Sequence, residues 1–174
     1  LYAIEDNEQA KWIGCSNELN AGYAADGYAR VKGYGAVVTT FGVGELSAMN
    51  AIAGSYAENI PVIHIVGVPT TNNIENKTLL HHNFQHPDYY AFEKAFEPVV
   101  ESTAFLTKEN AKSEIDRIIN VFKTTKRPVY LAIPMDITEL EIDSMQEVKT
   151  VQSDKKNLDE FIDKATAMIN ASKS

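Results

Sequence analysis

The strongest constraint on this chain is its alternation of short β-branched runs with longer runs of helical spacing. Gly35-Ala36-Val37-Val38-Thr39-Thr40 reads as a strand apolar on both faces, as central strands of a parallel sheet are. Pro61-Val62-Ile63-His64-Ile65-Val66-Gly67 reads as another. Pro128-Val129-Tyr130-Leu131-Ala132-Ile133-Pro134 is a last strand, closed by a proline that cannot extend the ladder. Shorter strands are expected at residues 11–15 and 99–102. Helices are expected at 17–31, where Gly33 ends the run, and at 45–58, 88–95 and 108–122. The order predicts an α/β fold: an open parallel sheet with helices on both faces. Residues 68–87 read as an irregular polar connection, and loops of that length are usually functional or disordered.

With 174 residues, 44 % of them hydrophobic, the chain can pack one domain, or one domain plus a piece of the next. Residues 139–156 are charged and read as a linker. Leu158, Ile162, Ala165 and Ile169 then recur at helical spacing. That amphipathic helix either opens a following domain or packs back on the preceding one. The expected division is therefore 1–138 and 139–174. Sixteen basic against 24 acidic residues, net −8, argue against a nucleic-acid partner. No apolar run is long enough to span a bilayer and no secretory signal is visible, so no membrane partner and a cytoplasmic location are expected. The single cysteine, Cys15, permits no internal disulfide. Its neighbours read as a buried strand, which predicts a packed structural thiol rather than a nucleophile.

Ligands of open parallel sheets bind beyond the carboxyl ends of the strands. Residues 16–20, 39–44 and 66–69 lie at such ends. Glu18 opens the first long helix, where a carboxylate is favourable with the helix dipole. The alternative is a carboxylate held in an apolar crevice to exchange a proton with a bound heterocycle. Gly42, Gly44 and Ser47 loosely echo a dinucleotide fingerprint, but the third glycine and the ribose-binding acid are absent. The glycines instead permit a tight turn and a close approach of backbone to a ligand. His81 and His82 are either two solvated loop residues or a functional pair. Adjacent histidines in an extended segment point in different directions, and no HExxH or CxxC spacing accompanies them, so no metal site is assigned. His64, inside an apolar strand, reads as a satisfied core histidine, and His86 as a loop residue.

Asn17-Glu18-Leu19-Asn20 with Tyr23-Ala24-Ala25-Asp26-Gly27-Tyr28-Ala29-Arg30 closely resembles the pyruvate and indolepyruvate decarboxylase family. So do Thr39-Thr40-Phe41-Gly42-Val43-Gly44-Glu45-Leu46-Ser47-Ala48 and Ala53-Gly54-Ser55-Tyr56-Ala57-Glu58. The match continues through Val66-Gly67-Val68-Pro69, Leu80-His81-His82 and Arg127-Pro128-Val129-Tyr130, so it covers residues 10 to 137. The resemblance implies that residues 1–138 are the domain binding the pyrimidine of thiamine diphosphate, lacking its N-terminal start. It implies magnesium as well. Glu18 then hydrogen-bonds the ring nitrogen of the aminopyrimidine and promotes its imino form. Thr40, Gly42 and Val43 line the pyrimidine pocket, and His81 and His82 handle protons and orient the substrate.

The paired histidines favour an aldehyde-releasing decarboxylase of a 2-oxo acid, such as pyruvate, indolepyruvate or phenylpyruvate, over an acetolactate-forming carboligase. A catalytically silent binding or assembly module is the reading from another class. The family's Gly-Asp-Phe turn lies upstream of the matched residues, and its diphosphate and magnesium motif lies in a domain far downstream. The chain starts at Leu1 rather than Met. These points lead us to expect a piece of a longer protein, inactive alone, with residues 139–174 as linker and first helix of the middle domain. The intact protein is expected to be a homodimer or homotetramer, because the family builds each active site between two subunits.

Overall fold

The computed structural model describes residues 2–85, 87–142 and 154–172. Its elements in chain order are α1 (Tyr2–Glu5), α2 (Glu18–Lys32), β1 (Gly35–Thr40), α3 (Val43–Ala57), β2 (Val62–Val68) and α4 (Thr71–Glu75). They continue with α5 (Tyr90–Phe96), a 3-10 turn (Glu97–Val99), β3 (Ser102–Phe105), α6 (Ala111–Thr125), β4 (Val129–Pro134) and α7 (Lys155–Ala171). The four strands form one parallel sheet in the order β1-β2-β4-β3.

Successive side chains of a strand point to opposite faces, so central strands must be covered on both sides. Val62, Val66, Tyr130 and Ala132 pack with Ile52 of α3, Ala25 and Ala29 of α2 and Phe96 of α5. Ile63, Val129, Leu131 and Ile133 pack on the other face with Ile118 and Phe122 of α6. Right-handed crossovers account for this division. The β1-to-β2 and β3-to-β4 steps run in opposite directions across the sheet, which puts α3 and α6 on opposite faces.

Helix α2 sits unusually close to its neighbours. A Cβ on Gly22 would meet the Ala51 Cβ at 2.7 Å, and one on Gly35 would meet the Ala25 carbonyl oxygen at 2.4 Å. Polar contacts tie the same seam. The Ser55 hydroxyl donates to Asp26 at 2.7 Å, and Arg30 donates to Asp26 at 2.6 Å and to Glu58 at 2.7 Å. Four residues of the family-like segments thus hold two helices together.

The structure corrects several expectations. Residues 11–15 form no strand and are exposed. Only Ile13 among them is β-branched, and a run so poor in strand formers needs a ladder partner to become one. Cys15 is accordingly exposed, not packed. The strand expected at 99–102 begins at Ser102 instead, because Pro98 starts a 3-10 turn over Glu97–Val99 and offers no donor to a ladder. Within the 68–87 connection, Thr70 caps the short helix α4 by accepting from the Asn73 N–H. The 139–156 linker lies largely outside the described residues, as does His86. Helix α7 forms as expected, and none of its residues is buried.

Two identical substitutions in α2 should have opposite effects. Gly27 has open space around its missing Cβ, so Gly27→Ala should stabilise by roughly 0.5–1 kcal/mol through helix propensity. Gly22→Ala should destabilise by about 1–3 kcal/mol, because α2 and α3 must separate. Denaturant midpoints of the two variants check both signs.

Candidate functional site

The first residue of α2 carries the carboxylate singled out from the sequence. Asn17 Oδ1 accepts the Asn20 N–H at 2.9 Å, which sets the start of the helix at Glu18. The close seat of α2 on β1 brings that end to the carboxyl end of the strand. A Cβ on Gly44 would lie 3.4 Å from Glu18 Oε1 and 2.6 Å from Thr40 Cγ2. Glu18 and Thr40 therefore share one corner, kept open by the glycine. Glu18 is half-buried and Thr40 exposed, so this corner faces outward rather than lying sealed in a crevice.

Gly42 makes the turn between β1 and α3. Its φ is +73°, and a Cβ there would lie 1.8 Å from the His82 carbonyl oxygen. Glycine is required on both counts. His82 itself has φ +70°, a left-handed conformation uncommon for a residue with a side chain. Its ring lies 5.9 Å from that of Phe41 and 4.3 Å from that of His81, centroid to centroid. The expectation that the two histidines diverge is thus corrected: the backbone is not extended at His82, and the rings meet. Val43, the first residue of α3, is exposed beside the turn. The structure brings Glu18, Thr40, Gly42, Val43 and the His81–His82 pair to one end of the sheet.

Beneath this corner lies a buried polar group that sequence reasoning missed. Glu45 is fully buried. Its Oε1 accepts the Gly42 N–H at 2.7 Å, and its Oε2 accepts the Tyr130 hydroxyl at 2.7 Å. Burial pushes the carboxyl up to about 7, against the two hydrogen bonds, with Glu93 nearby adding to the rise. Burial and the adjacent Glu45 likewise raise the Tyr130 phenol. The available signal was a glutamate three residues after a turn glycine at a helix start, the spacing of a side chain reaching back to an N-cap amide.

His64 is a core histidine, as expected, but only half satisfied. Thr39 Oγ1 lies 3.0 Å from its Nε2, while Nδ1 has no hydrogen-bond partner among the described residues. Burial pushes it down to about 3, so it is neutral at ordinary pH. Its ring packs edge-on to Phe96 and Tyr130.

Glu45 and His64 oppose one another in acid. The native state holds a proton on Glu45 between about 4.5 and 7 that the unfolded chain releases, so this group's contribution falls as pH rises. The unfolded chain instead binds a proton at His64 below about 6.5 that the native state refuses down to about 3. Each slope is at most about 1.4 kcal/mol per pH unit, so the two largely cancel between 4.5 and 6.5. Relative to the unsubstituted protein, Glu45→Gln should therefore lose stability as pH is lowered through this range. His64→Gln should gain it. Urea denaturation at half-unit pH steps checks both slopes.

The corner presents the Glu18 carboxylate, an exposed Thr40 and a glycine turn on one open surface. Glu18 can exchange a proton with a ring nitrogen, and the glycine turn leaves backbone and the Thr40 side chain accessible. Among the described residues no group of three His, Cys, Asp or Glu side chains could hold a metal ion, and no helix is long and apolar enough to cross a membrane.

Comparisons with known proteins agree with this geometry. Residues 1–92 match the family described as thiamine pyrophosphate enzyme, N-terminal TPP binding domain. The chain is 50 % identical over 143 residues to pyruvate decarboxylase isozyme 2 of Saccharomyces cerevisiae, covering 82 % of this chain and 25 % of that protein. It is 50 % identical over 133 residues to a Kluyveromyces marxianus pyruvate decarboxylase, covering 76 % and 24 %. With pyruvate decarboxylase of Aspergillus parasiticus the identity is 56 % over 128 residues, covering 73 % and 22 %. The chain thus spans about a quarter of the length of these relatives. A glutamate at a helix start, a glycine turn open beside it and a family match over more than half the chain lead to one conclusion: the chain belongs to the N-terminal TPP-binding domain family of thiamine pyrophosphate enzymes.

Proposed function

We propose that this chain is the cofactor-activating domain of a non-oxidative 2-oxo-acid decarboxylase, with pyruvate as the first substrate to test. The observation that carries the reading is the placement of the Glu18 carboxylate against Thr40 and the Gly44 backbone at the carboxyl end of β1. Eight relatives at 46–56 % identity are named pyruvate decarboxylases, which supports the substrate class.

In this reading Thr40, Gly42 and Val43 border the aminopyrimidine of thiamine diphosphate, and Glu18 shares a proton with its ring nitrogen. When bound, the cofactor supplies the electron sink for loss of carbon dioxide. His81 and His82 stand across the Gly42 turn with their rings in contact, where an imidazole pair can hand a proton to or from a bound substrate. The left-handed backbone at His82 supports a functional pair, since such conformations cluster at active sites.

The diphosphate and a magnesium ion would be held by residues outside this chain. Residues 1–138 would form the pyrimidine-binding domain, and 139–174 the linker and first helix of a middle domain. The intact enzyme would work in the cytoplasm as a homodimer or homotetramer, with each site completed by a partner subunit.

The test is aldehyde release by the intact enzyme with thiamine diphosphate and magnesium, offering pyruvate, indolepyruvate and phenylpyruvate in parallel. Glu18→Gln should lower kcat/KM by about a hundredfold or more while leaving the circular dichroism spectrum unchanged. Unaltered turnover in that variant would remove the role assigned to Glu18. Acetolactate in place of acetaldehyde would replace the decarboxylase with a carboligase.

A further inference from the structure

Three contacts connect the sheet, the Gly42 turn and the histidine loop. From below, Glu45 Oε1 accepts its N–H at 2.7 Å. The other oxygen of the same carboxyl is held at 2.7 Å by the Tyr130 hydroxyl, on a central strand of the sheet. From above, the His82 carbonyl packs so tightly on the Gly42 Cα that no Cβ fits. A rigid sheet strand is thereby connected through one carboxyl to the turn, and through the turn to the histidine loop. We infer that Glu45 is a positioning residue, fixing the height of the Gly42 turn and hence the spacing between the Glu18 corner and the His81–His82 pair. The inference rests on the proposed role of this corner in holding the pyrimidine, and adds a residue that touches neither cofactor nor substrate.

Geometry favours this assignment over simple core filling. Glu45 is fully buried on a face that also carries Ile52, Val62, Val66 and Phe96, where a carboxyl is costly to desolvate. A carboxyl earns its place in such surroundings by making two directed bonds at once. Among the described residues no other side chain accepts the Gly42 N–H, so loss of Glu45 would leave a buried amide unpaired. The groups facing Glu45 are Tyr130 from β4 and Glu93 from α5, with His64 of β2 beyond the Tyr130 ring. None of them is a cation. The ionised form therefore ties the turn to β4 through two charge-assisted bonds, one from the Gly42 N–H and one from the Tyr130 hydroxyl.

The experiment uses the intact enzyme and four proteins: unsubstituted, Glu45→Ala, Glu45→Gln and Tyr130→Phe. Thiamine diphosphate affinity is measured by calorimetric titration with magnesium present, from pH 6 to 8, beside kcat/KM for pyruvate. Glu45→Ala should weaken cofactor binding about tenfold or more, whereas Glu45→Gln, which keeps an acceptor for the Gly42 N–H, should restore it to within about threefold at pH 6. The ratio of unsubstituted to Glu45→Gln affinity should rise with pH through about 7, as the native carboxyl ionises. Tyr130→Phe should weaken binding less than Glu45→Ala does. If the alanine variant does not fold, the pH dependence of that ratio still decides. A flat ratio, or a glutamine variant as weak as alanine, overturns the positioning role. Loss of aldehyde formation in the unsubstituted enzyme would instead overturn the decarboxylase reading, and cofactor affinity would still report on Glu45.

Discussion

The structure depends on how closely α2 lies against β1 and α3. Side chains normally hold a helix about 10 Å from the sheet it covers. Here Gly35 lets the backbone of β1 approach the Ala25 carbonyl, and Gly22 lets α2 approach Ala51 of α3. Both contacts come from residues lacking a Cβ, and neither is replaceable by a larger side chain without moving the helix. The consequence appears at the far end of α2. Its N-terminus arrives beside the turn that follows β1, and Glu18 shares with Thr40 the space left open by Gly44. Were the helix a side chain's width farther away, the same glutamate would cap a helix in solvent.

Beneath that corner the core is less apolar than its helices and strands suggest. Glu45, Tyr130, His64 and Thr39 are buried together on one face of the sheet. Each uses at least one directed bond, and one His64 ring nitrogen has no partner among the described residues. A face built this way specifies a unique arrangement more strongly than an all-aliphatic one, because each misplacement strands a polar group. Its titration is balanced as well. Burial raises a carboxyl and lowers an imidazole, so acid favours one and opposes the other.

Much of this was legible in the residues. The strands at Gly35–Thr40, Val62–Val68 and Val129–Pro134 and the helix at Glu18–Lys32 follow from runs whose periodicity leaves little choice. Residues 11–15 were misread because Trp, Ile and Cys look like a buried strand when nothing indicates whether a partner is there to pair with them. The 99–102 strand was misplaced by a few residues because Val99 and Val100 favour extension, while Pro98 governs the local geometry. Glu45 is not recognisable from its motif, because a glutamate at the third position of a helix reads as surface electrostatics until burial is known.

The sequence by itself determined the fold class, and through its family resemblance it singled out the residues that make the corner. Local spacing and β-branched content suffice for the fold class, since strand and helix periods are properties of neighbouring residues; the corner residues came from the family resemblance. Tertiary structure alone decided which of those residues meet. The contact of His82 with Gly42, the joining of the two imidazole rings and the bond from Tyr130 to Glu45 across 85 positions all depend on close packing between segments remote in sequence. Burial, which turns Glu45 from a helix-start carboxylate into a group titrating near 7, exists only once those segments have packed.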